Sequence, residues 1–327
     1  MQQVTYDEWV SYNANTKVWY NSSDDFLPVL QREIKDESPD HLFITGIYDW
    51  QFNFKPLLFC KSVKKIVSVR GMLHPGALGQ KTFKKKVYLA VWKMLGLHKK
   101  VIFHATDNEE KKYTEDVFGN VINVKVAANF PRVFNIQPVF KKEPGNLKLI
   151  SVALISPMKN ILPVLEALNA IDPDQPHDVN ITYDIYGAIK DEQYWKQCQE
   201  CIKKLPANIL VKHHGDIMPG KIESELAKSH IFILPSKSEN YGHSIVEALY
   251  AGRPVITSHN TPWNELKEHN AGINISLNDK QEMTDAIKKF VVMSQEELET
   301  WSKGARIYAE KKINIEAINQ QYHELFA

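Results

Sequence analysis

Two glutamates eight positions apart flank a glycine and a helix start in HIFILPSKSENYGHSIVEALYAGRPVITSHNTPWNELKE, residues 230–268. The apolar run HIFILPS predicts a buried strand ending at Pro235-Ser236. The loop after it carries Glu239, Asn240, Tyr241 and Gly242. A helical pattern then runs from about His243 to Tyr250, and Gly252 stops it. Gly242 has no Cβ, so the backbone there can approach a ligand closely. The first N–H groups of the helix, around His243 and Ser244, make an anion site, because the helix dipole adds to their own polarity. Glu247 sits one turn inside. The set suits a phosphate held by amides, with carboxylates gripping hydroxyls on either side. A glycosidase pair is the rival chemistry. Eight helical residues span ~12 Å, whereas glycosidase carboxyls stand ~5–9.5 Å apart. Glu239 lies in the preceding loop, so the distance is open, but an anion-binding helix start between the two carboxylates has no use in a glycosidase.

The elements that must hold these residues alternate in type. Apolar strand segments are expected at 41–46, 64–71, 100–106 and 121–127, with helical stretches between them. Residues 131–146 carry Pro131, Pro138 and Pro144, a linker composition. A second set of strands is expected at 147–154, 179–187, 208–215, 230–236, 253–258 and 271–276. Alternating β and α segments imply a parallel sheet covered on both faces. The fold class is therefore α/β, with two doubly wound domains facing a cleft where ligands meet the carboxyl ends of strands. The 327 residues suit two such domains.

Composition removes several function classes. Apolar residues make up 43% and charged residues 24%, which excludes wholesale disorder. Forty basic against 39 acidic residues leave no global field to attract nucleic acid. Three cysteines cannot build a secreted disulfide scaffold and point to a reducing compartment. With no signal-like start and no long apolar run, a soluble, cytoplasmic protein is expected. Charge is unevenly spread. Residues 55–100 hold 12 Lys/Arg and no Asp or Glu. Within 80–100, Phe83, Val87, Tyr88, Val91, Trp92 and Leu95 recur at helical spacing, with Lys84, Lys85, Lys86 and Lys93 off that stripe. Two readings stand side by side: a core-packed helix with a solvated basic back, and a helix lying on an anionic membrane at its inner face. Asp172-Pro173-Asp174 spells a metal-dependent motif but reads as a turn. Cys198 and Cys201 lie in a helical pattern with no second ligand pair, so no metal is expected.

The run S-E-N-Y-G-H-S-I-V-E-A-L-x-A-G-x-P-V-I resembles the Glu-x7-Glu signature of retaining glycosyltransferases of the GT-B fold, glycosyltransferase family 4. SVALISPMKNILPVLEAL (151–168), DIYG (184–187), KHHGDI (212–217), VSVRGMLHPGAL (67–78) and FHATDNEE (103–110) resemble further family segments. The resemblance implies a metal-independent enzyme of the hexosyltransferase type, without cofactor. It would move a sugar from a UDP- or GDP-sugar to a glycan or lipid-linked glycan, as in bacterial capsule, O-antigen or lipopolysaccharide synthesis. It implies that Glu239 contacts donor-sugar hydroxyls, with Asn240 and Tyr241 in the same loop. Amides of Gly242, His243 and Ser244 would hold the diphosphate, Glu247 the ribose, and Lys159 the leaving phosphate. Gly215 and Ile217 would line the base pocket. Arg70 and His104 are the further catalytic candidates, and Arg70 and His74 stand on the acceptor side.

The chain departs from the family pattern at three positions. Leu154 stands where the family usually has an arginine, and leucine cannot supply a bidentate fork. His74 and Gly76 replace a Glu and a Trp. These departures motivate one alternative, a nucleotide-sugar-binding partner subunit with weak catalysis; a second, a nucleotide-sugar 2-epimerase, shares the two-domain fold, and the Glu-x7-Glu context argues against it. The expected division is 1–140 for an acceptor-side domain, 141–312 for the nucleotide-sugar domain, and 313–327 for a helix crossing back. The first domain is expected to be shortened at its start, since residues 1–40 contain no glycine for a donor-phosphate loop.

Overall fold

The computed structural model describes residues 5–79, 82–134, 141–171 and 179–327. Apolar, β-branched runs form the parallel strands where the sequence places them; Ile231–Leu234 and Val255–Ser258 are buried along their whole length, whereas the outer strands Asn123–Val126 and Ile209–His213 are covered only in part. The chain divides into two units, Met1–Asn129 with Glu316–Ala327, and Phe130–Ile315.

Unit 1 opens with a hairpin of β1 (Trp9–Asn13) and β2 (Thr16–Trp19), which lies outside the strand segments expected from the sequence. Its turn is set by the Asn13 carboxamide, which accepts from the Asn15 N–H at 2.9 Å. The hairpin rests on α1 (Leu27–Glu37), where the Trp9 indole donates to Glu33 at 2.7 Å. The sheet that follows is β3 (His41–Thr45), β4 (Lys64–Ser68), β5 (Ile102–Ala105) and β6 (Asn123–Val126), all parallel and in that order. Its helices are α2 (Lys55–Phe59), α3 (Pro75–Leu78), α4 (Thr82–Met94) and α5 (Asn108–Phe118).

The sequence-predicted face of α4 is corrected by the structure. Trp92 is fully buried, and the buried side is completed by Leu89, which is not on the predicted stripe. Tyr88 and Val91 are half-buried, whereas Phe83 and Val87 of that stripe face solvent, as does Leu95 just past the helix. The helix is apolar on two opposite sides, and spacing alone does not tell which side meets the core.

Unit 2 contains β7 (Asn146–Val152), β8 (Asn180–Tyr186), β9 (Ile209–His213), β10 (Ile231–Leu234), β11 (Val255–Ser258) and β12 (Gly272–Ile275). All pairings are parallel, in the order β12-β11-β10-β7-β8-β9. Strand order therefore reverses between β7 and β10, and a doubly wound sheet opens a crevice at the carboxyl ends of such a pair. The helices are α6 (Leu162–Asn169), α7 (Glu192–Ile202), α8 (Ile222–Lys228), α9 (His243–Tyr250), α10 (Lys280–Val292) and α11 (Gln295–Lys312). Of the linker segment, residues 135–140 lie outside the described residues, as does the Asp172-Pro173-Asp174 turn. Lys142 is buried, and its ammonium donates to the Glu143 and Val291 carbonyls at 2.8 Å each, which ties this stretch into unit 2.

The last helix, α12 (Ile315–Phe326), lies on the sheet of unit 1. Leu325 is fully buried with Ile66 and Ala127, and the Gln321 side chain accepts from the Ala128 N–H at 2.9 Å.

Candidate functional site

Lys159 and Glu239 stand on the two sides of the strand-order reversal. Lys159 lies in the turn after β7, where its N–H donates to Ser156 at 3.0 Å and Asn160 takes the left-handed conformation, φ 60°. Glu239 lies in the loop after β10, whose four residues IFIL are all buried. The Lys159 ammonium donates to Glu239 Oε1 at 2.5 Å, and the Ser236 hydroxyl donates to the same oxygen at 2.6 Å. The Lys237 N–H donates to the Met158 carbonyl at 2.8 Å, which ties the two loops together. A cation and a carboxylate from distant parts of the chain therefore share one place at the head of the sheet.

Four residues after Glu239 begins α9. Gly242 is its N-cap with φ 76°, and no side chain caps the helix. A Cβ there would stand 3.1 Å from Ile245 Cδ1 and 3.4 Å from the Trp263 indole nitrogen, so glycine answers both the backbone angle and the crowding. Trp263 fixes the preceding residue by donating to the Tyr241 carbonyl at 2.5 Å. Asn240 and His243 are exposed, and Tyr241 and Ser244 are half-buried. The helix start thus offers backbone N–H groups and the positive end of a dipole beside the Lys159–Glu239 pair.

Glu247 is buried one turn along α9, and burial pushes its carboxyl above the ordinary glutamate range, with the nearby Arg132 guanidinium acting against that. Arg132 Nε stands 3.9 Å from Glu247 Oε1. The same guanidinium donates to the Pro219 carbonyl at 3.4 Å. Sequence reasoning missed Arg132, which lies in the segment taken as linker; no spacing rule joins it to Glu247.

The base-side candidates follow β8 and β9. Gly187 has φ 137°, and a Cβ there would fall 2.0 Å from the Ala153 carbonyl oxygen. Its N–H donates to the Gly215 carbonyl at 2.7 Å, so the ends of β8 and β9 are bound to each other. Gly215 has φ 73° with open space around it, and Ile217 beyond it is half-buried. His214 stacks on Tyr186 at 4.6 Å and meets Asp184 at 2.6 Å, while His213 meets the Gly187 carbonyl at 2.8 Å. Leu154 is 46% exposed, so its apolar side chain is presented to solvent rather than to the core. Among the described residues, no group of three or more His, Cys, Asp or Glu is placed to hold a metal ion.

The remaining candidates belong to unit 1. Arg70 follows β4 in the left-handed conformation, φ 49°, is exposed, and donates to the Asn129 side chain at 2.5 Å. His74 is exposed, but its Nδ1 accepts from the Gly76 N–H at 3.0 Å, so it caps α3. His104 departs from the sequence expectation of a catalytic group at a strand end. Its ring is fully buried, with Nδ1 at 2.9 Å from the Ser68 hydroxyl and Nε2 at 2.8 Å from the Ala127 carbonyl. Both nitrogens are engaged and burial holds its pKa below the ordinary histidine value, so it ties β4, β5 and the end of β6 together as a neutral ring.

The family model described as Glycosyl transferases group 1 matches residues 133–308, more than half of the chain. No curated protein matches the sequence. Among solved structures, HepE of Anabaena, in complex with UDP and glucose, is similar at TM-score 0.67 and 18% identity, covering 94% of this chain and 85% of that one. TarM, known from S. aureus, is similar at TM-score 0.67 and 18% identity, over 95% of this chain and 59% of that one. WaaG, a glycosyltransferase involved in lipopolysaccharide biosynthesis, is similar at TM-score 0.62 and 13% identity, over 91% and 80%. These likenesses establish a shared fold of two Rossmann-like units, the GT-B arrangement.

Proposed function

The chain belongs to the glycosyl transferases group 1, and on that premise we propose that it is a retaining hexosyltransferase using a nucleotide-sugar donor, without a metal. The observation that carries this reading is the meeting of Lys159 and Glu239 across the strand-order reversal, beside the uncapped start of α9. When the bond from the anomeric carbon to the diphosphate breaks, negative charge grows on the leaving phosphate. Lys159 and the amides of Gly242, His243 and Ser244 would stabilise it. Glu239 would orient the sugar hydroxyls and Glu247 the ribose. The acceptor oxygen bonds to the anomeric carbon on the face the diphosphate leaves, and its proton passes to the departing phosphate oxygen. No protein nucleophile is required, which suits a histidine at position 104 that is neutral and enclosed. Arg70 would stand on the acceptor side with His74.

UDP is the nucleotide favoured here, because structures of the similar HepE hold UDP and UDP-glucose. The acceptor proposed is a glycan or lipid-linked glycan of bacterial surface-polysaccharide synthesis, with membrane contact through 80–100. Leu154 favours one second reading, a donor-binding subunit with weak turnover, since it withholds a cation from the diphosphate.

Calorimetry with UDP, GDP and ADP and a nucleotide-sugar hydrolysis screen test both. Binding with turnover supports the enzyme, binding without turnover the subunit, and no binding of UDP, GDP or ADP sinks both. Glu247→Ala is expected to abolish UDP binding with its melting temperature kept within a few degrees; unchanged binding would refute the ribose role.

A further inference from the structure

Among the described residues no helix is long and apolar enough to cross a membrane, yet α4 has an apolar side that the fold leaves open. Phe83 is 80% exposed, Val87 49% and Met94 77%, with Ala90 exposed between them. Positions 83, 87, 90 and 94 recur at four, three and four, so they form one stripe along the helix. That stripe lies opposite Trp92 and Leu89, which anchor α4 in the core. The stripe is therefore not a core face turned outward by a misplaced register; the helix has one apolar side for the core and a second for something else. Leu95, 40% exposed, extends the open apolar surface past the helix end.

The flanks of the stripe are basic. Lys84 lies on one side and Lys86 and Lys93 on the other, all exposed. Among the described residues, no carboxylate lies within ion-pairing distance of these three lysines. Lys85 points the other way, donating to the Ala77 carbonyl with its ammonium 5.1 Å from the Tyr48 ring centre. Beside the stripe, Leu78, Leu89, Ala90 and Val117 floor a cavity of about 310 Å³ rimmed by Lys85, Lys86 and Lys93. Apolar side chains in a line, with unpaired lysines to both sides, match a surface that is apolar inside and anionic at its edge.

We propose that α4 docks flat on an anionic lipid bilayer, with Phe83, Val87 and Met94 entering the acyl boundary and Lys84, Lys86 and Lys93 pairing with headgroup phosphates. This deepens the membrane contact of the proposed function and names its face and its lipid. The charge complementarity decides for a bilayer over a second copy of the chain. Two α4 helices face to face would set these lysines against one another, and the run 55–100 has no acidic residue to relieve that.

The test is co-sedimentation of the full chain with vesicles of phosphatidylcholine alone and of phosphatidylcholine with phosphatidylglycerol. Binding is expected to the anionic vesicles only and to weaken as salt rises. Each lysine near an anionic surface adds roughly fivefold in partition, so the triple variant K84Q/K86Q/K93Q should bind on the order of a hundredfold more weakly. Phe83→Ser with Met94→Ser should also lose binding, and both variants should keep wild-type UDP binding and melting temperature because none of these side chains is buried. Absence of binding to anionic vesicles, equal binding to neutral ones, or a concentration-dependent dimer abolished by the Ser variant would overturn the proposal. If UDP binding is intact in that case, the donor-site reading survives; if UDP is not bound while the vesicles are, the donor-site reading fails and the docking stands.

Discussion

At the residue scale, one carboxylate shows how position sets chemistry. In the proposed donor site Glu247 would accept bonds from the ribose hydroxyls best when ionised, since a protonated carboxyl keeps fewer acceptor sites. Burial raises its pKa and Arg132 lowers it again, so donor binding should fall as the pH drops through that raised pKa. Removing the positive charge removes the lowering influence. In Arg132→Gln the loss of UDP binding on acidification is therefore expected at higher pH than in wild type, with the affinity changed more on the acid side of the transition than on the alkaline side. Calorimetry across that transition checks this, and identical pH profiles would show that Arg132 does not act on Glu247. The glutamate was legible in the sequence because its glycine, its partner carboxylate and its helix are contiguous. The arginine was not, because its approach is made by the path of the irregular stretch that opens unit 2.

Strand ends are where the elements position the site. The β8 end meets the β7 end so closely at Gly187 that a methyl group would fall 2.0 Å from the Ala153 carbonyl oxygen, in a backbone region that L side chains rarely adopt. Gly187→Ala is accordingly expected to displace the β8–β9 connection, lowering the melting temperature by several degrees and weakening UDP binding about tenfold or more. A melting curve and a binding isotherm of the one variant check both, and an unchanged isotherm would place the base elsewhere. The element pattern itself was readable, since buried parallel strands are contiguous apolar runs and need no tertiary information to be found. Two elements were not. The hairpin of β1 and β2 lacks a Gly-containing turn and rests on an Asn13 side-chain bond. The helix α4 is apolar on two sides, so periodicity alone could not say which side the core would take.

For the whole molecule, acid is the expected weakness. His230 is buried in unit 2, and that burial, with the charges of Lys142, Lys148 and Arg253 around it, pushes its pKa down to about 4. An unfolded histidine titrates near ~6.5. Between these values the unfolded chain binds a proton that the folded chain does not, so stability falls as pH falls from ~6.5 toward 4. His104 in unit 1 has the same sign, its pKa lowered first by burial. His230→Asn, which keeps an acceptor for the Lys148 N–H, should flatten the dependence by about one proton over this range. Denaturant unfolding at pH 7, 6 and 5 measures that slope, and an unaltered slope would show that His230 is not the group responsible.

The sequence by itself determined the class of the fold, the parallel strand segments of both units, and the contiguous glycine, glutamate and helix start on which the donor reading rests. Each of these depends on residues close in the chain, where spacing and backbone preference act directly. Only the tertiary structure decided that Lys159 meets Glu239, that Arg132 reaches Glu247, that His104 is enclosed rather than poised, and that Phe83, Val87 and Met94 face outward. These depend on which strands become neighbours and which helix side a core covers. Burial is a property of the packed assembly, and two side chains of the same type differ in chemistry only once their neighbours are in place.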